Sequence, residues 1–171
     1  DLELMARLYW IRDCLREFLP SDYRQAVQIL LESLPPELDS ANTDDDYGDF
    51  IYGPYGAFLA EYGCTKKDLR FSLNALHAMT RRFSVEFPIR MFINAFPQET
   101  MDFLEKCATD SNYHVRRLAS EGTRPKLPWA KNINIDCTEP IPILNILFAD
   151  NTRYVTRSVA NHMNDISKVD P

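Results

Sequence analysis

Between Thr123 and Glu139 the chain carries Arg124, Lys126, Trp129 and Lys131 on a stretch broken by Pro125 and Pro128. Cations interleaved with an indole can meet phosphate and a base or sugar. The bland alternative is a packed loop with Trp129 as its anchor. Local charge favours the first reading more than the total does. The net charge is −6, yet residues 1–62 hold 4 basic and 13 acidic side chains, residues 63–131 hold 12 and 7, and the remainder 3 and 5. A phosphate-binding face needs local positive charge, not a basic whole. Metal chemistry has no such support. Cys14, Cys64, Cys107 and Cys137 are far apart without a Cys-x-x-Cys pair, and His77, His114 and His162 lack ligand spacing. That argues against a zinc knuckle or disulfide framework and fits a reducing cytosol.

The elements that must position these residues are helical. Residues 2–18 place Leu4, Leu8, Ile11, Leu15 and Phe18 on one face, and residues 22–34 repeat the stripe with Ala26, Ile29 and Leu30. Pro35 and Pro36 stop the second helix. Residues 39–49, with Asp44, Asp45 and Asp46, read as a solvated connector. Further helices are expected at 54–62, 66–82, 84–95, 98–109, 113–121, 140–148 and 152–168, with Ser84 as a cap and Pro88 in or near the first turn that follows. No alternating strands and no Gly-rich phosphate loop break the series. Consecutive helices of these lengths joined by short turns predict an all-α fold, an α-solenoid of stacked helical hairpins. Apolar content of 45% supports a buried core. No stretch approaches the roughly 20 apolar residues of a membrane span, and no signal segment opens the chain. One domain over residues 1–171 is expected; the start at Asp1 and the stop just after a helical pattern suggest a piece of a longer protein.

Three stretches, FSVEFPIRMF at Phe83–Phe92, HVRRLASEGTRPKLPWA at His114–Ala130 and RSVANHMNDISK at Arg157–Lys168, resemble in order, spacing and wording the AlkC branch of bacterial DNA alkylation-repair glycosylases. Tyr62–Arg82 fits the same pattern more weakly. The chain departs from that branch at Val85 and Pro88, where the family more often has small residues. The resemblance implies HEAT-like helical pairs with a concave cationic face. It implies a monomer acting in the bacterial cytoplasm on duplex DNA, without metal or organic cofactor and without a membrane. The implied reaction is hydrolysis of the N-glycosidic bond of cationic bases such as 3-methyladenine and 3-methylcytosine, with the lesion left stacked rather than fully flipped, unlike most glycosylases.

The same resemblance carries catalytic roles to Glu86, Asp165 and Trp129, and DNA contacts to Arg117 and Arg124. A base already cationic leaves as a neutral group, so a strong general acid is unnecessary. The sugar develops oxocarbenium character that a carboxylate can stabilise, and a carboxylate can place or deprotonate the water. Beside an indole face a cationic base or sugar could gain about 0.5–2 kcal/mol. Arg116 and Lys126 add general positive charge. On a helical wheel, Val155, Val159, His162, Met163 and Ile166 share one arc, while Arg153, Arg157, Asn161 and Asp165 follow the polar side as a row of possible phosphate ligands. Simpler roles compete: Glu86 with Arg90, Arg117 with Glu121, and Asp165 with Lys168 all have ion-pair spacing. Rival functions are a non-catalytic DNA-binding repeat and a protein-interaction scaffold. Both gain if Glu86, Asp165 and Trp129 point to different faces.

Overall fold

The computed structural model describes residues 2–39 and 47–169. The expected connector acids Asp44, Asp45 and Asp46 lie outside the described residues. Among the described residues there are nine α-helices, one 3-10 turn and no strand: α1 Leu4–Phe18, α2 Tyr23–Glu32, α3 Gly53–Gly63, α4 Leu69–Thr80, α5 Glu86–Ala95, α6 Pro97–Cys107, α7 Tyr113–Glu121, α8 Ile141–Leu147 and α9 Arg153–Val169.

Local chemistry sets several of these boundaries. Asp22 caps α2 by accepting from the Gln25 N–H at 2.9 Å, and Asn112 caps α7 by accepting from the His114 N–H at 2.9 Å. Each such cap stabilises a helix by about 1 kcal/mol. Pro54, Pro97 and Pro142 stand in first turns, where a missing N–H costs nothing. Ser84 is not the cap of α5. Val85 occupies the cap position, and the Ser84 hydroxyl donates to Glu86 instead. Pro88, third in the helix, has no N–H for a capping hydroxyl to bind.

The helices stack in two layers. In one, α1 packs on α3, α3 on α5, and α7 on α9; behind it α2 packs on α4 and α6 on α8. Phe58, Leu76, Ile89, Phe92, Ile93, Leu104 and Val115 are fully enclosed between the layers, each worth about 1.5–3 kcal/mol of burial. The apolar stripe of α1 is only partly used: Leu8 is buried, whereas Leu4 and Ile11 are exposed and Phe18 is 87% exposed. α1 has one main neighbour, α3, which covers one edge of the stripe. Every cysteine is free. No described helix is long and apolar enough to cross a membrane.

Candidate nucleic-acid interface and active site

A cavity of about 580 Å³ opens on the α1, α5, α7 and α9 layer. Its walls are aromatic, with Tyr47, Phe50, Phe83, Phe87, Trp129 and Tyr154. Its polar groups are Ser84, Glu86, Glu121, Ser158, Asn161 and three arginines, Arg117, Arg124 and Arg157. The helix starts and faces already described bring these groups together. Glu86 is the first residue of α5, Arg117 and Glu121 are one turn apart on α7, and Tyr154, Arg157, Ser158 and Asn161 follow one side of α9.

Four of these side chains, with Asp165 behind them, form a line of alternating charge. Arg117 lies 3.9 Å from Glu86 and 3.8 Å from Glu121; Arg124 lies 2.6 Å from Glu121 and 2.8 Å from Asp165. Asp165 Oδ2 accepts from Arg124 Nε at 2.8 Å and lies at ion-pair distance from Nη2, a charge-assisted contact. Ser158 Oγ donates to Glu121 Oε2 at 2.6 Å, and Arg117 Nη1 donates to Ser84 Oγ at 2.9 Å. The Arg117 guanidinium also sits 4.5 Å from the Tyr154 ring centre and 5.3 Å from that of Tyr47, within cation–π range.

Burial and charge pull against each other along this line, and charge prevails. Burial pushes the Glu121 carboxyl up, but Arg117, the Ser158 hydroxyl and Arg124 together hold it below the ordinary carboxylate value. Burial would lower the Arg117 guanidinium, yet Glu86, Tyr154 and Glu121 raise it. Arg124 is raised against its own desolvation by Glu121 and Asp165. Arg117, Glu121 and Arg124 therefore stay ionised at neutral pH. The hydrogen bond and ion pair of Glu86 both go to Oε2 and those of Asp165 to Oδ2, so each acid keeps a second oxygen without a partner among the described residues.

The sequence candidates divide into two groups. Glu86 (8% exposed), Arg117 (7% exposed), Arg124, Arg157 and Trp129 (47% exposed) line the one cavity, and Asp165 joins it through Arg124. Arg116, Lys126 and Arg153 do not line it. Arg116 forks onto Asp150 and donates to the Asp110 and Ser111 carbonyls, tying the turn before α7 to the turn before α9. Lys126 is exposed on a separate cleft beside Pro125, Cys137 and Val169, and Arg153 is exposed at the start of α9. Of the competing helical ion pairs, only Arg117 with Glu121 forms. Arg90 donates to backbone carbonyls, and Asp165 turns to Arg124 rather than Lys168. No group of three or more His, Cys, Asp or Glu among the described residues could hold a metal ion.

Sequence reasoning missed Tyr47 and Tyr154. Tyr154 is 2% exposed, and its hydroxyl has no hydrogen-bond partner among the described residues. Tyr154 stands on the side of Asn161 and Asp165, outside the apolar arc of Val155, so neither its burial nor its ring facing Arg117 was legible from periodicity. His162 is wholly buried on α9, and its Nδ1 bonds the Ser120 carbonyl at 3.0 Å. Desolvation, only partly opposed by that bond, lowers the imidazole to about 4, so it is neutral near pH 7.

The fold and this site define a HEAT-like helical-repeat protein with an acidic and aromatic cleft. A solved structure is similar to it over 99% of the chain: Pseudomonas fluorescens alkylpurine DNA glycosylase AlkC, bound to DNA containing an abasic site analog, with a TM-score of 0.86 and 36% identity. Uncharacterized protein YhaZ of Bacillus subtilis (strain 168) is 34% identical over 174 residues and matches the whole chain. The chain spans 45% of the length of each of these two proteins. No protein-family model matches. Over its whole length the chain is similar to these AlkC-like proteins and shares their HEAT-repeat fold.

Proposed function

We propose that the protein is a DNA glycosylase that hydrolyses the N-glycosidic bond of cationic alkylated bases, of the 3-methyladenine and 3-methylcytosine type, in duplex DNA. One observation carries this reading: the charge line begins and ends in carboxylates, Glu86 and Asp165, and the cavity that Glu86 lines also has Trp129 on its wall. In the reaction the bond from C1′ to the base nitrogen breaks and its electron pair neutralises the cationic base. Asp165 stabilises the oxocarbenium charge left on the sugar. Glu86 places the water and accepts its proton as oxygen bonds to C1′. Trp129 offers an indole face to the charged lesion, which stays largely stacked.

Two arginines serve this site from within. Arg117, enclosed between two acids and two tyrosine rings, holds Glu86 and Glu121 in place rather than reaching a phosphate. Arg124 does the same for Glu121 and Asp165. Backbone phosphates are met by Arg157 at the cavity edge and by the exposed Arg153 and Lys126, while Arg116 braces α7. No cofactor takes part, and the protein acts as a monomer in the bacterial cytoplasm.

The test is single-turnover base release from duplex DNA carrying 3-methyladenine, beside matched unmethylated DNA. Release from the methylated duplex alone supports the reading. Tight, salt-sensitive binding with no release from a folded protein would instead identify a DNA-binding repeat without catalysis.

A further inference from the structure

Arg90 lines no part of the cavity, yet it is wholly enclosed at 0% exposure. It follows Glu86 by one helical turn on α5. Its guanidinium binds no carboxylate among the described residues. Nε donates to the Lys131 carbonyl, Nη1 to those of Gly122 at 3.2 Å and Arg124 at 2.7 Å, and Nη2 to that of Pro125 at 3.4 Å. One turn further along α5, the Asn94 side chain donates to the Asn132 carbonyl at 2.9 Å and accepts from the Asn134 N–H at 2.8 Å. All of these backbone groups belong to the irregular segment 122–134, which makes few backbone hydrogen bonds of its own, such as Ala130 N–H to the Leu127 carbonyl.

We propose that Arg90, seconded by Asn94, is a positioning residue that holds this loop in the one shape that sets Trp129 at the cavity rim and Arg124 between Glu121 and Asp165. Its consequence for catalysis rests on the glycosylase reading; its effect on the loop does not. The side-chain chemistry fits the task. A guanidinium presents five N–H donors in a rigid plane and can serve several carbonyls at once, whereas an ammonium is a compact point charge. Burial, reinforced by Arg124 and opposed by Glu121, lowers Arg90 only to about 10, so it remains a cation at neutral pH. The loop approaches α5 closely because Gly122 lacks a Cβ, which would lie 2.7 Å from Ile89 Cγ2. Without Arg90, several enclosed carbonyls lose their donors at once.

The chain has two tryptophans, so Trp10→Phe leaves Trp129 as the sole indole reporter. Its fluorescence anisotropy and acrylamide quenching should be measured in that background alone, with Arg90→Lys, with Asn94→Ala, and with Leu73→Ala as a destabilised core control. Arg90→Lys is expected to lower the anisotropy and steepen the quenching while helicity is retained. Asn94→Ala, at a more exposed position, is expected to do the same to a lesser degree and decides the matter if Arg90→Lys does not fold. Leu73→Ala should move neither readout. Unchanged anisotropy and quenching in the folded variants, or equal changes in the Leu73→Ala control, would overturn the proposal. In the single-turnover assay, Arg90→Lys should slow release about 10²-fold, the scale of a 1 Å misplacement, with DNA affinity retained. Its effect should shrink in a Trp129→Ala background, leaving only the part that passes through Arg124; fully additive losses would overturn the positioning role. Absence of release by the wild-type protein would dismiss the glycosylase reading, and the fluorescence measurements would still decide the role of Arg90.

Discussion

Replacing Glu121 by Gln removes the middle anion of the charge line while keeping its shape. Glu121 is 3% exposed and faces Arg124 at 2.6 Å and Arg117 at 3.8 Å. Removing one partner of a buried ion pair costs about 3–5 kcal/mol. The lower end applies, because Arg117 keeps Glu86 at 3.9 Å and Arg124 keeps Asp165 at 2.8 Å. A loss of about 3 kcal/mol corresponds to roughly 6–12 °C in Tm for a chain of this size. The sign with pH is also fixed. The Glu121 carboxyl is depressed in the folded protein, so its stabilisation is complete above the unfolded value of about 4.3 and is lost as pH falls through the folded value. Thermal melts of wild type and Glu121→Gln at pH 7 and in acid should therefore show a gap in midpoint that is full at pH 7 and closes in acid. A Tm difference under about 2 °C at pH 7, where about 3 kcal/mol predicts several times that, or a gap that widens in acid, would refute the reasoning.

Asp165→Asn should lower single-turnover base release about 10²–10³-fold with DNA affinity nearly intact, since one preorganised electrostatic contact is lost; equal losses in binding and rate would point to a structural acid. Arg157→Gln should reduce the slope of log K against log salt by about 1 in duplex-DNA titrations, equally for all sequences; an unchanged slope removes Arg157 from the phosphate contacts. His162 is held neutral with its imidazole lowered to about 4. The unfolded chain therefore binds that proton first, and stability should fall as pH drops from about 6.5 through this window. His162→Gln should flatten that part of the stability profile, and an identical profile argues against the buried neutral ring. Gly48→Ala should destabilise the protein by more than about 1 kcal/mol in thermal melts, because Gly48 has φ of 75° and a Cβ would fall 2.0 Å from the Arg82 carbonyl oxygen; a wild-type melting temperature would contradict it.

Helix positions were legible because apolar periodicity is local. The 22–34 and 113–121 stripes became α2 and α7, and Pro125 and Pro128 marked a segment that stays irregular. Coverage was less legible. Leu4, Ile11 and Phe18 share the stripe of Leu8, yet only Leu8 is buried, since what an amphipathic face meets is decided by a neighbour elsewhere in the chain. Met163 likewise shares an arc with His162 and Ile166 but stays exposed. The site shows the same division. Its acids and its indole could be named from motifs, but ion-pair spacing suggested Arg90 for Glu86 and Lys168 for Asp165. Glu86 instead meets Arg117, 31 residues away, Asp165 meets Arg124, 41 away, and Arg90 turns to loop carbonyls 32–41 away. Helical spacing says which groups can meet on one helix, not which stronger partner another element will bring.

The order of charges along the line bears on which rival function it suits. Three acids and two arginines alternate, and both ends are acids. Each arginine is shared between two carboxylates, so the central Glu121, with a cation on either side, is the best neutralised. The end members each face a single arginine, and uncompensated negative charge gathers at Glu86 and Asp165. A site built chiefly to grip phosphates would need the reverse, with guanidiniums at the ends and their donors unspent. A scaffold surface would have little reason to enclose such a line at all, because burying charges carries a desolvation cost that good geometry only offsets. An enclosed line with acidic ends beside aromatic walls instead suits a partner that is cationic, or becomes so during reaction. That is the demand made by a methylated base and by the oxocarbenium sugar it leaves behind.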